Sequence, residues 1–169
     1  MKRKWLAVLT AACVLCGCGA RVPKAEQAAR LLAPPFLLTG EFTFGTTEGS
    51  LVLARPDADT ATLTLHRPDR IAGLTLSFAG EEVTLSFGEQ SYALPLKDLP
   101  EGHPLRLLQG LFAALMTETP ACETSGQGET VFRFGDGSAV TVVGGAVRAI
   151  DLPTGHFSLR VTGLDRTAP

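Results

Sequence analysis

Four cysteines and three histidines carry most of the latent chemistry in this chain of 169 residues. They are Cys13, Cys16, Cys18 and Cys122, and His66, His103 and His156. A metal centre needs such residues at ligand spacing, and a nucleophilic thiol needs a base beside it. Neither pattern is present: the histidines are widely separated without acid or thiol partners at ligand spacing, and Cys122 sits in the loop-like PACETSGQGE with no base nearby. It reads as a semi-buried or tolerated thiol. His66 and His156 fall on the polar faces of strand-like runs and His103 just before a helix, which marks all three as surface or capping residues. Asp57 and Asp59 have calcium-loop spacing, but Ala61 takes the next ligand place and Pro68 the place of the bidentate glutamate, so the segment is a turn. Gly135 and Gly137 begin a G-x-G-x-x-G pattern that Val140 breaks, in a hairpin context. Glu81 and Glu82 alternate to opposite faces of a strand and do not form an acid and base pair. There is no G-x-S-x-G elbow, no H-E-x-x-H, and no C-x-x-C beyond the N-terminal segment. These residues predict a protein that is not an enzyme and holds neither metal nor cofactor.

The cysteines near the start suggest different chemistry. Lys2, Arg3 and Lys4 precede an apolar run from Trp5 to Leu15, the basic and hydrophobic regions of an export signal. About eleven residues are too few to span a bilayer, which takes roughly 20. The sequence Leu15, Cys16, Gly17, Cys18 resembles the lipobox of bacterial lipoproteins: an aliphatic residue, two small residues, then cysteine. That resemblance implies cleavage before Cys18, lipid on its thiol, and a chain held at the extracytoplasmic face of the cell membrane. A plain secretory signal or an uncleaved anchor is the alternative. Cys13 fits less well, because Thr10 stands at the aliphatic position. Residues 1–17 are then a signal peptide, 18–22 the lipidated N-terminus and a tether of roughly 15 Å, 23–165 one domain, and 166–169 a frayed tail. Cys122 is left without a disulfide partner.

Composition bounds the partners. The chain is 45% hydrophobic and 19% charged, enough apolar material for one domain with a sizeable core. Without the three basic residues of the signal, twelve Lys and Arg face seventeen Asp and Glu, a net charge of about −5. Nucleic acid is excluded as a partner on that balance. Arg55, Arg67 and Arg70 are interleaved with Asp57, Asp59 and Asp69, which predicts solvated ion pairs.

The elements follow from periodicity. Lys24 to Leu32 holds good helix formers between Pro23 and Pro34. From Phe36 the period becomes two, with Phe36, Leu38, Phe42 and Phe44 on one face and a gap at Gly40. Leu51 and Leu53, then Leu63 and Leu65, mark two more strands. Arg67 to Pro95 is a meander: Leu74, Leu76 and Phe78, then Val83, Leu85 and Phe87, then Tyr92, Leu94 and Leu96, joined by hairpin-length connections. Pro104 to Glu118 places Leu105, Leu108, Phe112, Leu115 and Met116 on a helical stripe, with Leu107 and Leu111 beside it. Strands are predicted at 129–134, 139–143, 146–152 and 156–162.

The predicted fold is therefore mainly β: a curved antiparallel half-barrel of about ten strands, with a helix packed on its concave face and a short N-terminal helix. Ten strands span about 45 Å, and two helices of about 10–12 Å diameter cover only half of that. The sheet must curl, fold over, or enclose a ligand. The order of AEQAARLLAPPF, LLTGEFTFG, GSLVLARP, TATLTLHRP, the meander from Gly73 to Leu96, a plugging helix and terminal strands resembles the LolA/LolB and LppX-like carriers of lipids and lipoproteins. It also resembles small Gram-positive lipoproteins at Pro68, Ile71, Gly73, Leu74 and Phe78. The carrier resemblance implies a half-barrel whose concave apolar face is partly plugged by helices. Arg67 and Pro68 match the family's Arg-Pro strand end only loosely, and no gating role is carried over to Arg67.

The expected site is the concave face at Phe42, Phe44, Leu63, Leu65, Leu76, Phe78, Leu85 and Phe87, holding a lipid, an acyl chain or another apolar ligand. Phe and Leu suit such surfaces, whereas sugar platforms need aromatic rings with polar handles. The alternative is an adaptor lipoprotein whose core is filled by its own helices and which binds another envelope protein.

Overall fold

The computed structural model describes residues 24–125 and 128–167. Helix α1, Lys24–Leu31, leads past Pro34 and Pro35 into strand β1, Phe36–Phe44. Five strands follow: β2 (Thr47–Arg55), β3 (Thr60–Arg67), β4 (Thr75–Ala79), β5 (Glu82–Phe87) and β6 (Gln90–Pro95). Helix α2, Pro104–Thr117, precedes β7 (Ala121–Thr124), β8 (Glu129–Arg133), β9 (Ala139–Val143), β10 (Ala146–Leu152) and β11 (Phe157–Asp165). Ten of these eleven strands lie where alternation places them. The additional one is β7, four exposed residues around Cys122 that read as loop. Met116 also departs from expectation: it is 68% exposed, while Leu111 takes its place on the buried face of α2.

One antiparallel sheet contains all eleven strands, in the order β6-β5-β4-β3-β2-β1-β11-β10-β9-β8-β7. Every connection joins neighbours except one, because β1 also pairs with β11, Phe42 opposite Leu159. The sheet is open, with β6 and β7 as its edges. Register carries one apolar face across the strands: Leu53, Leu63, Leu76 and Leu85 lie side by side. Leu159, Ile150, Val140 and Phe132 continue it beyond β1. The opposite face carries hydroxyl pairs such as Thr64 with Thr75 and Ser86 with Ser91.

The gap in the β1 stripe has a steric cause. A Cβ at Gly40 would lie 2.7 Å from Leu159 Cδ1 and 2.6 Å from the Arg160 carbonyl oxygen. The neighbouring leucine occupies the place of the missing side chain, beside a β-bulge at Thr39 and Gly40.

From β5 to β8 the apolar face is about 38 Å wide at 4.8 Å per strand. Val83 on β5 and Phe132 on β8 are nonetheless fully buried, under helices of only eight and fourteen residues. Burial at that width requires the sheet to curl around its helices. Gln109 donates from Nε2 to the Gly80 carbonyl in the β4–β5 turn at 3.1 Å, and Glu118 Oε2 accepts from the Gly135 amide in the β8–β9 turn at 3.1 Å. Helix α2 is thus hydrogen-bonded to both wings of the sheet.

Arg55 corrects the expectation of solvated pairs. It continues the inward positions Leu51 and Leu53 of β2 and is only 2% exposed. Its Nη1 donates to the Leu32 carbonyl at 3.2 Å and Nη2 to the Ala58 carbonyl at 3.1 Å, while the guanidinium lies 4.1 Å over the Phe112 ring. Its Nε has no hydrogen-bond partner among the described residues. Burial pulls its pKa below the ordinary arginine value, and Asp57 and Asp59 act in the opposite direction. One side chain therefore joins the end of α1, the β2–β3 turn and the middle of α2. Replacing Arg55 with Ala leaves two carbonyls without their donor and removes the cation–π contact, so stability should fall by about 2–4 kcal/mol. Urea denaturation measures this directly; a change under about 0.5 kcal/mol would show that the arginine does not fasten the helices.

Candidate functional site

The apolar cavity lies between the N-terminal end of α2 and the sheet. Pro104 stands at the first turn of α2, and the His103 side chain caps it, Nδ1 accepting from the Leu105 amide at 3.3 Å. The helix start is held down at the β10–β11 turn, where a Cβ at Gly155 would overlap the Leu107 side chain. Leu105 faces strands β1 to β4 across a cavity of about 270 Å³. Phe42 and Phe157 stack against each other on its wall, with centroids 6.2 Å apart. Its mouth opens beside Phe44, which is 41% exposed.

Five of the eight residues expected on the concave face line this cavity: Phe42, Phe44, Leu63, Leu65 and Leu76. Phe78 does not; it is buried in the closed core under α2. Leu85 and the half-exposed Phe87 lie beyond the cavity, in a shallow groove along β5 and β6 with Tyr92. Leu74 borders both spaces and joins them. Sequence reasoning missed Leu51, Ile71, Leu105 and Phe157 as lining residues, although each is an apolar residue at an inward position or on the helical stripe.

Among the described residues, three with polar side chains line its walls: Thr47, Arg70 and His103. Arg70 sits in a short 3₁₀ turn, Asp69–Ile71, between β3 and β4 and is exposed. Burial holds the His103 imidazole below its usual pKa, which favours the neutral ring. Its role as helix cap matches the reading from sequence. His66 and His156 are exposed, although His156 occupies a left-handed turn position, φ 50°, rather than a strand face.

A second large depression, about 550 Å³, lies around outward-facing Glu41, Thr43, Ser158 and Arg160. It is open and polar, and Arg160 pairs with Glu41 across β1 and β11. The hydrogen bond and charge of Arg160 lower the Glu41 pKa. Asp57 Oδ1 accepts from the amides of Asp59 and Thr60, which makes the 57–60 segment the turn expected of it. Among the described residues no three His, Cys, Asp or Glu side chains come together as a metal site. Cys122 is exposed on edge strand β7, its thiol 3.6 Å from the Pro120 carbonyl. No described helix is long and apolar enough to cross a membrane. Cys18 and the segments 1–17 and 18–22 lie outside the described residues. Of the expected tail, Arg166 and Thr167 are described, Thr167 donating from its amide and hydroxyl to Asp165 Oδ1.

The cap gives a pH dependence with a definite sign. The unfolded chain binds a proton at His103 more readily than the folded one, so its contribution is fully present above about pH 6.5 and is lost as pH falls through the lowered folded value. Protonation also removes the Nδ1 acceptor. His103→Asn keeps a capping oxygen without titrating near neutrality. Between about pH 7 and pH 5, thermal unfolding of the Asn variant should lose less stability than that of the natural chain. Equal pH slopes would contradict the assignment.

No protein-family model matches the chain, and no curated protein matches it. Solved structures of similar chain path include an uncharacterized conserved protein from Thermus thermophilus, with 16% identity, a TM-score of 0.49 and coverage of 85% of each chain. Another is the LolA superfamily protein NE2245 from Nitrosomonas europaea, with 9% identity, a TM-score of 0.44 and coverage of 86% of this chain and 93% of that one.

Proposed function

We propose that this chain is a non-enzymatic lipoprotein, anchored through acylated Cys18 on the extracytoplasmic face of the cell membrane, that shelters a stretch of acyl chain inside its half-barrel. The supporting observation is the cavity of about 270 Å³ between Leu105 and the sheet, whose walls are almost wholly apolar and whose mouth is marked by Phe44. With a methylene taken as about the size of a water molecule, roughly 30 Å³, the cavity holds about nine chain carbons. At about 0.8 kcal/mol per buried methylene the gross gain is about 7 kcal/mol, before the cost of immobilising the chain. That is exchangeable binding, suited to transfer or temporary shielding. Lipids with two or three long chains exceed the cavity.

The adaptor reading also has an observation in its favour. Leu105, Leu108 and Leu111 are at most 1% exposed, so α2 itself fills much of the concave face. Uptake of a fluorescent fatty acid separates the two. The Cys18→Ser chain should leave the membrane fraction and take up the probe, whereas the same chain with Leu65→Trp and Leu76→Phe should bind it at least about tenfold more weakly while keeping its melting temperature. Retention in membranes would overturn the anchor. Absence of uptake by the Cys18→Ser chain would favour the adaptor.

A further inference from the structure

The rim of the cavity carries a charge that the fold does not use. Arg70 lines the cavity from the 3₁₀ turn after β3. Among the described residues it makes no hydrogen bond or ion pair, although Asp69 is its sequence neighbour; the ion pairs present are Arg30 with Glu26, Arg133 with Glu123 and Arg160 with Glu41. His103 lines the same cavity, and its Nδ1 is occupied by the Leu105 amide. In the neutral ring the proton then lies on Nε2, which is a second donor without a protein acceptor among the described residues. An apolar cavity edged by one unpaired guanidinium and one neutral N–H donor has the complementarity of an amphiphile, with an apolar tail and a small anionic head.

We infer that the cavity binds a single-chain fatty acid of medium length, its carboxylate held by Arg70 and His103 and its chain running inward along Leu65, Leu76 and Leu105. This rests on the reading of the cavity as an acyl site and adds the head group to it. One guanidinium balances one carboxylate, and a carboxylate has an oxygen for each donor. A phosphate monoester, with nearly two charges at neutral pH, would leave one unbalanced. The chain length follows from volume: about nine carbons beyond the head corresponds to decanoate.

Calorimetric titration of the full-length Cys18→Ser protein with decanoate, decanol and decyl phosphate, at about pH 7.5 where the carboxylate is ionised, tests the head group separately from the chain. Decanoate should bind about tenfold more tightly than decanol, the value of a charge-assisted hydrogen bond at a partly buried mouth, and more tightly than decyl phosphate. Arg70→Gln should erase the preference of decanoate over decanol. Arg70→Glu should reverse the charge preference, so that decyltrimethylammonium binds more tightly than decanoate, a gain that a misfolded variant would not show. Equal binding of decanoate and decanol by the unmodified cavity would overturn the head-group assignment and leave the acyl site standing. Tighter binding of decyl phosphate would overturn the carboxylate. Failure of every ligand to bind would overturn both the head group and the acyl site.

Discussion

A buried guanidinium, bonded among the described residues to carbonyls and a ring rather than to a carboxylate, holds this fold together. Arg55 takes its charge to an inward position of β2, where hydrophobic alternation would place another leucine. Desolvation makes that placement costly unless the group is well bonded. Two carbonyls and the face of Phe112 supply the bonding, and they come from three different parts of the chain. The consequence is geometric. With α1, the β2–β3 turn and the middle of α2 converging on one side chain, the helices are fixed over the concave face at Phe36 and Phe112, whose rings meet edge to face at 6.2 Å.

The same fastening accounts for where the cavity lies. An eleven-stranded sheet offers more apolar surface than helices of eight and fourteen residues can cover. Around Arg55 and Phe112 the cover is complete, and Leu108, Leu111 and Phe132 are fully buried. Toward the N-terminal end of α2 the helix reaches its capped start at His103, the strands continue to Phe44 and Phe157, and the space between is left unfilled. Pinning α2 at its middle and at Gln109 and Glu118 leaves the apolar cavity at the remaining end.

Much of this was legible in the residues. Period-two alternation located ten strands, and Pro104 with the Leu105 to Leu115 stripe located the plugging helix, because backbone period and burial agree there. Curvature followed from counting strands against helices. Two kinds of feature were not legible. Strand β7 carries no apolar alternation, since its residues are all exposed and it exists only as an edge added to β8. Arg55 has acidic neighbours in sequence, yet its phase with Leu51 and Leu53 is the better guide: register decides which way a strand side chain points, and charge does not. Which concave positions line a space and which are filled depends on where α2 is fastened. That is why Phe78 and Phe42, alike in sequence pattern, differ in the structure, one in closed core and the other on the cavity wall.

The concave face is closed at one end and, on this reading, open to an apolar chain at the other. Methyl-resolved NMR of the full chain titrated with a fatty alcohol tests this most directly, since leucine methyls report contact one by one. An open cavity predicts shifts at Leu63, Leu65, Leu76 and Leu105, with Leu53, Leu108 and Leu111 unmoved. Shifts spread evenly over both sets, or absent from the first, would contradict it.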